Sequence, residues 1–188
     1  MIPAPAKAGE TVEYVVTFLE MTARPGYDWP SQPAGVNGAL LRAEAPPAWY
    51  LRALYGAVGR DYAWSDLNAY PDAEVAGWIQ KPDAALYSLI AQGWPQGFFL
   101  LDWHAAGECE LCYFGLVPEA VGKGLGTWLL RTAILTAWAR EGMARLTVNT
   151  CTLDHPRALA QYQKAGFVPV GQETRTRVLV RDWAPAQI

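Results

Sequence analysis

The sequence predicts a mixed α/β fold of packed layers (α+β), and three observations predict it. Strand-like, apolar-rich stretches at 85–91, 97–103 and 108–117 follow one another in the middle of the chain. Two helical stretches, 124–140 and 156–165, then alternate with a short strand at 145–150. Strands therefore follow strands before helices intervene, which is not a regular βαβ repeat.

Each element has a local reason. Residues 11–21 alternate and are rich in Val, Tyr and Phe, so they read as a first strand. Residues 24–38 carry repeated Pro and Gly and read as a loop. Pro46 and Pro47 suit a helix start, and Trp49, Leu51, Leu54, Tyr55 and Val58 give helical spacing over 46–59. Residues 71–80 read as a second helix, with Asp72 and Glu74 in the first turn. Strands 85–91 and 97–103 are joined by a hairpin turn at 92–96. Leu125, Trp128, Leu129, Ala133 and Ala137 stripe the helix at 124–140, and Gly142 stops it. The helix at 156–165 takes Asp154 or His155 as its cap and ends at Gly166. Residues 167–170 and 174–183 read as two final strands, which brings the strands to seven.

Bulk composition narrows the class. The 188 residues are 52% hydrophobic and 18% charged, as expected of a single globular domain. A net charge of −3 argues against a general nucleic-acid surface. No apolar run reaches a membrane span, and residues 1–10 lack the apolar core of a signal peptide. Cys109, Cys112 and Cys151 are too few for a disulfide framework, so a reducing cytoplasm is expected. Cys109 and Cys112 sit three apart on a strand, on opposite faces, which favours packing over a metal or dithiol. No metal site is expected.

The chemistry centres on Val117-Pro118-Glu119-Ala120-Val121-Gly122-Lys123-Gly124-Leu125-Gly126-Thr127. An apolar strand enters this turn and an amphipathic helix leaves it. Glycines at alternate positions let backbone approach a ligand closely. The helix start offers unpaired N–H groups and the positive end of a dipole, which together suit an anion such as diphosphate. The Lys precedes the second Gly, so the turn is not a Walker A loop. Its spacing also fails the dinucleotide fingerprint.

This turn resembles that of the GNAT superfamily of N-acetyltransferases, whose pattern is Gln/Arg-x-x-Gly-x-Gly/Ala before a helix. Gly124 and Gly126 match the glycines, and Val121 stands in the Gln/Arg position. Downstream, Ala158, Tyr162, Gly166 and Phe167 match the family's Asn-x-x-Ala-x-x-x-Tyr-x-x-x-Gly-Phe, with His155 in the Asn position. The resemblance covers roughly 84–183. It implies a central, largely antiparallel mixed sheet of about seven strands flanked by helices. It also implies one domain over 1–188, with 10–83 on the acceptor side and 84–183 forming the acetyl-CoA core.

The resemblance implies acetyl-CoA as cosubstrate and a small-molecule or peptide amine as acceptor. Glu110, fourteen residues before Gly124, is the candidate base, with Glu108 on the same face as runner-up. Partial burial would raise its pKa to a useful value. Tyr162 is the candidate acid toward the leaving thiolate. Backbone of Phe114, Gly115 and Leu116 would line the pantetheine arm, with an oxyanion donor near Leu116, where the family's strand bulges and splays from its neighbour. Gly122, Lys123, Gly124, Leu125, Gly126 and Thr127 would hold the diphosphate, beside His155. Tyr62 and Trp64 are the candidate acceptor contacts, offering aromatic faces. A homodimer through the exposed late strands is a further expectation. Val121 and His155, both off the pattern, leave open a non-catalytic CoA-binding module, and the acyl group and acceptor type are also open.

Overall fold

The computed structural model describes residues 4–185. Seven strands form one mixed sheet in the order β2-β3-β4-β5-β6-β1-β7. They are β1 (Thr11–Met21), β2 (Gly38–Arg42), β3 (Ala84–Ala91), β4 (Trp94–Ala105), β5 (Glu108–Leu116), β6 (Arg145–Cys151) and β7 (Val168–Val178). The helices are α1 (Ala48–Gly59), α2 (Asp72–Ile79), α3 (Leu125–Trp138) and α4 (Ala158–Lys164). All pairs are antiparallel except β5–β6.

The expected number of strands is present, with two changes of membership. Gly38–Arg42, read as the end of a loop and its sequel, is edge strand β2 and pairs with β3. The two late strands are one, β7, with a register shift where Phe18 faces Gly171 and Leu19 faces Pro169. Residues 179–183 fall outside it, and Trp183 makes only an isolated bridge to Ala6. The β3–β4 turn is also tighter than expected, because Ala91 already pairs with Trp94.

Adjacent residues of β4 show which helices cover which face. Trp78 of α2 donates its indole N–H to Asp102, whereas Trp103 donates its own to the Ala137 carbonyl of α3. Neighbouring strand residues point to opposite faces, so α2 and α3 lie on opposite sides of the sheet. Helix α1 packs beside α2. Leu129, Leu130, Ala133, Ile134 and Ala137 bury the inner face of α3. Each such Leu or Ile contributes roughly 1.5–3 kcal/mol. Gly115 lets α1 press onto β5, since a Cβ there would collide with Val58.

Two features of β5 shape the middle of the molecule. Its parallel pairing with β6 covers only Glu108–Glu110, against Arg145–Thr147. Beyond that point β5 pairs with β4 alone and β6 with β1 alone, so the two strands part in a wedge. The bulge in β5 lies at Cys112, where Leu100 faces Tyr113 but Leu101 faces Leu111. It is therefore not at Leu116, as expected from the resemblance. The extra residue restores Tyr113 to the α1–α2 side, where its ring meets Tyr55, Trp64 and Trp78.

Candidate functional site

The wedge opens into a cavity of about 640 Å³. Its walls come from β5, the turn before α3, β6, α4, the loop after α1, and β1 and β7. Val117 donates its N–H to the Gln96 carbonyl of β4 at 3.0 Å. Backbone direction alternates along a strand. The N–H groups of Phe114 and Leu116 therefore face the wedge, away from β4.

The glycine turn closes one end. Pro118–Ala120 form a short 3-10 turn, and Gly124 caps α3 in the left-handed conformation at φ 75°. Gly122 is likewise left-handed at φ 86°. A side chain at either would meet no protein atom but would strain the backbone. No side chain caps α3, so its first N–H groups and the dipole face the turn. Gly122, Gly124, Gly126 and Thr127 line the cavity. Lys123 is exposed outside the lining, and the Leu125 side chain is buried in the core, which leaves only its backbone for the turn. An uncapped helix start beside an unpaired strand edge suits a diphosphate joined to an amide-bearing arm.

Glu110 and Tyr162 reach this cavity from opposite faces of the sheet. Glu110 faces Asp102 across the β4–β5 pair, and Asp102 points to α2. Burial raises its pKa, His104 opposes the rise, and the Asp102 carboxylate adds to it. Tyr162 is buried on α4, edge-on to Phe114 and Phe167. Burial pushes its phenol far above the ordinary value, so it stays a neutral O–H donor. Glu108 stands apart, beside His104 at 3.5 Å and Arg145 at 3.9 Å, and does not line the cavity.

The expected caps of α4 do something else. Arg157 occupies the cap position, and no side chain hydrogen-bonds there. His155 instead accepts the Arg157 N–H on Nδ1 at 3.1 Å, and burial lowers its pKa. The ring is thus neutral, with its proton on Nε2. Asp154 accepts from Thr150 Oγ1, the Cys151 N–H and the Trp64 indole, each at 2.9 Å.

Trp64 and Tyr62 both line the cavity, and Trp64 is fixed by that bond to Asp154. Their loop is tied down from β7 and beyond. Arg181 donates to the carbonyls of Gly59, Tyr62 and Trp64 at 2.6–3.2 Å. Arg177 donates to the Ala63 carbonyl, to Tyr14 Oη and to Asp66. Sequence reasoning missed Asp154, Tyr113, Trp78 and Arg177, all of which line the site. The first of these sits inside the recognised downstream element, next to His155. The others gain their places only through tertiary pairing.

The cysteines are unreactive by environment. Both Cys109 and Cys112 donate to the Glu110 carbonyl, at 3.7 and 3.6 Å. Burial raises both thiols, and it pushes Cys151 up to about 12.

Comparison with known proteins agrees with this fold. Residues 37–167, well over half of the chain, match the Acetyltransferase (GNAT) family. The chain belongs to the GNAT acetyltransferase family. No curated protein matches it in sequence. A GCN5-related N-acetyltransferase from Sphaerobacter thermophilus superposes with TM-score 0.63 at 15% identity, over 97% of this chain and 55% of that one. A second, from Kribbella flavida, gives 0.56 at 19% identity, over 86% and 56%. This chain thus spans just over half the length of either. An aminoglycoside N-acetyltransferase in complex with CoA gives 0.51 at 18% identity, over 79% and 96%. At these identities the likeness is one of fold.

Proposed function

We propose that the chain transfers an acetyl group from acetyl-CoA to a primary amine, by direct attack in a ternary complex. One observation carries the reading: Glu110 and Tyr162 line a single cavity from opposite faces of a sheet that parts between β5 and β6. Membership of an acetyltransferase family supports the same chemistry.

In this reading the turn at Gly122–Thr127 holds the diphosphate on backbone N–H groups. The wedge edge of β5, at Phe114 and Leu116, pairs with the pantetheine amides as an added strand would. Glu110 takes the proton of the ammonium so that a neutral amine attacks the thioester carbonyl. The Leu116 N–H stabilises the oxyanion of the tetrahedral intermediate. The attacking nitrogen then gives up its second proton to solvent, the C–S bond breaks, and Tyr162 donates its hydrogen bond to the departing thiolate. Tyr62, Trp64 and Tyr113 offer aromatic faces to a cationic or apolar acceptor. The free thiols support a reducing compartment, the cytoplasm.

Release of free CoA thiol, followed across a panel of amines, tests the proposal. Amine-dependent release with a matching acetylated product is expected. Tight CoA binding without release for any amine would favour a non-catalytic CoA-binding module instead.

A further inference from the structure

Strand pairing carries the face of Glu110 across the sheet. Glu110 is opposite Thr147 of β6, and two residues on, Asn149 is opposite Phe18 of β1. Further along β1, Tyr14 is opposite Arg175 of β7. Paired residues, and residues an even number apart on one strand, point to the same side. Glu110, Asn149, Phe18 and Arg175 therefore share the α1–α2 side of the sheet. Glu110, Asn149 and Arg175 also line the cavity. The Arg175 guanidinium reaches back over the Phe18 ring, 5.7 Å from its centroid. That places it one strand away from Asn149, whose side chain is exposed.

The arginines that line the cavity are Arg157, Arg175 and Arg177. Arg177 is occupied by the Ala63 carbonyl, Tyr14 and Asp66. Arg157 stands at the cofactor end, beside His155. Arg175 bonds to Glu173 at 2.6 Å, with the two side chains 46% and 53% exposed. Such a surface pair is weak. It engages one nitrogen of a group with five N–H donors, so the other edge of the guanidinium is open to a ligand. A guanidinium on the face of the candidate base opposes an acceptor that brings only an ammonium charge. It favours one that brings an anion as well.

We propose, resting on the acetyl-transfer reading above, that the acceptor is an amine that also carries a carboxylate. Its ammonium meets Glu110, and Arg175 and Asn149 hold its carboxylate. The sheet sets the distance between the two ends. Two strand gaps and two residues along β6 separate Glu110 from Phe18, about 12 Å by strand spacing and rise. A hydrogen bond of about 3 Å at each end leaves about 6 Å between amine and carboxylate. That is the reach of 5-aminopentanoate or of a dipeptide. The amine and carboxylate of an α-amino acid are too close together to engage both ends.

Three probes test this: 5-aminopentanoate, pentylamine and glycine, each followed by thiol release from acetyl-CoA and by calorimetric binding to the protein saturated with CoA. The wild type is expected to favour 5-aminopentanoate over the other two by about tenfold, the worth of a charge-assisted hydrogen bond. Arg175→Gln should erase that preference. Arg175→Glu should turn it toward 1,5-diaminopentane, whose second ammonium then finds a carboxylate. Residue 175 is exposed, so both variants should keep the fold. Binding of 5-aminopentanoate that depends on Arg175, with no thiol released, would uphold this site and sink the acetyl-transfer reading alone. Pentylamine used as well as 5-aminopentanoate, no binding of 5-aminopentanoate, or a preference that survives Arg175→Gln would overturn the proposal, and any amine turnover would still support acetyl transfer.

Discussion

Asp102 and Glu110 stand directly opposite one another on β4 and β5, and Asp102 takes the Trp78 indole N–H at 2.6 Å. A second carboxylate thus sits beside the candidate base while its own charge is partly satisfied. Removing the Asp102 charge should lower the Glu110 pKa, although burial is the larger cause and remains. The acid limb of kcat against pH should therefore lie above the ordinary glutamate value of about 4.3. It should move to lower pH in Asp102→Asn. An acid limb unmoved by that substitution would separate Asp102 from the base.

Glu110→Gln should lower kcat by about 10²–10⁴-fold, the usual contribution of a positioned base. It should also stabilise the protein at neutral pH. The folded-state pKa of Glu110 is raised, so folding favours its protonated form. That stability is present below the ordinary glutamate pKa and lost as pH rises through the folded value. Gln mimics the protonated form. Thermal melts should show Gln above wild type at pH 8 and the two converging near pH 4.

Tyr162→Phe removes one O–H from a packed ring. The contacts with Phe114 and Phe167 persist, so the melting temperature and acetyl-CoA binding should change little. Turnover should fall about 10-fold or more, as expected for a lost transition-state hydrogen bond to a charged group. Equal losses in turnover and in stability would instead describe a core residue.

Asp154→Ala leaves the Trp64 indole, the Thr150 hydroxyl and the Cys151 N–H without their acceptor. Stability should drop by about 2 kcal/mol or more, measured by urea unfolding. With Trp64 released from its anchor, KM for the amine should rise more than KM for acetyl-CoA.

What could be read from the sequence was local or rested on the family resemblance. The glycine turn, the α3 stripe and the Tyr162 spacing are all short-range patterns; the structure brings the turn and Tyr162 to one cavity and packs the stripe into the core. Strand β2 escaped notice because Gly-Ala-Leu-Leu-Arg shows no alternation, and four of its five residues are exposed. The two late strands looked separate because Gly171-Gln172-Glu173 interrupts the apolar pattern, yet all of it is one strand with a register shift against β1. The position of β1 between β6 and β7 joins the two ends of the chain, and no local pattern encodes such a pairing. Asp154 read as a helix cap, since a cap and a tertiary acceptor need the same residue type.

Calorimetric titration of the wild type and Gly124→Ala decides whether the turn before α3 holds acetyl-CoA. Gly124 sits at φ 75° with open space beyond its Cα, so Ala should strain the backbone by about 1–2 kcal/mol and leave the fold intact. Saturable binding of one acetyl-CoA per chain, weakened in Gly124→Ala, is the predicted result. No binding heat in the wild type, or equal affinity in the two proteins, would contradict it.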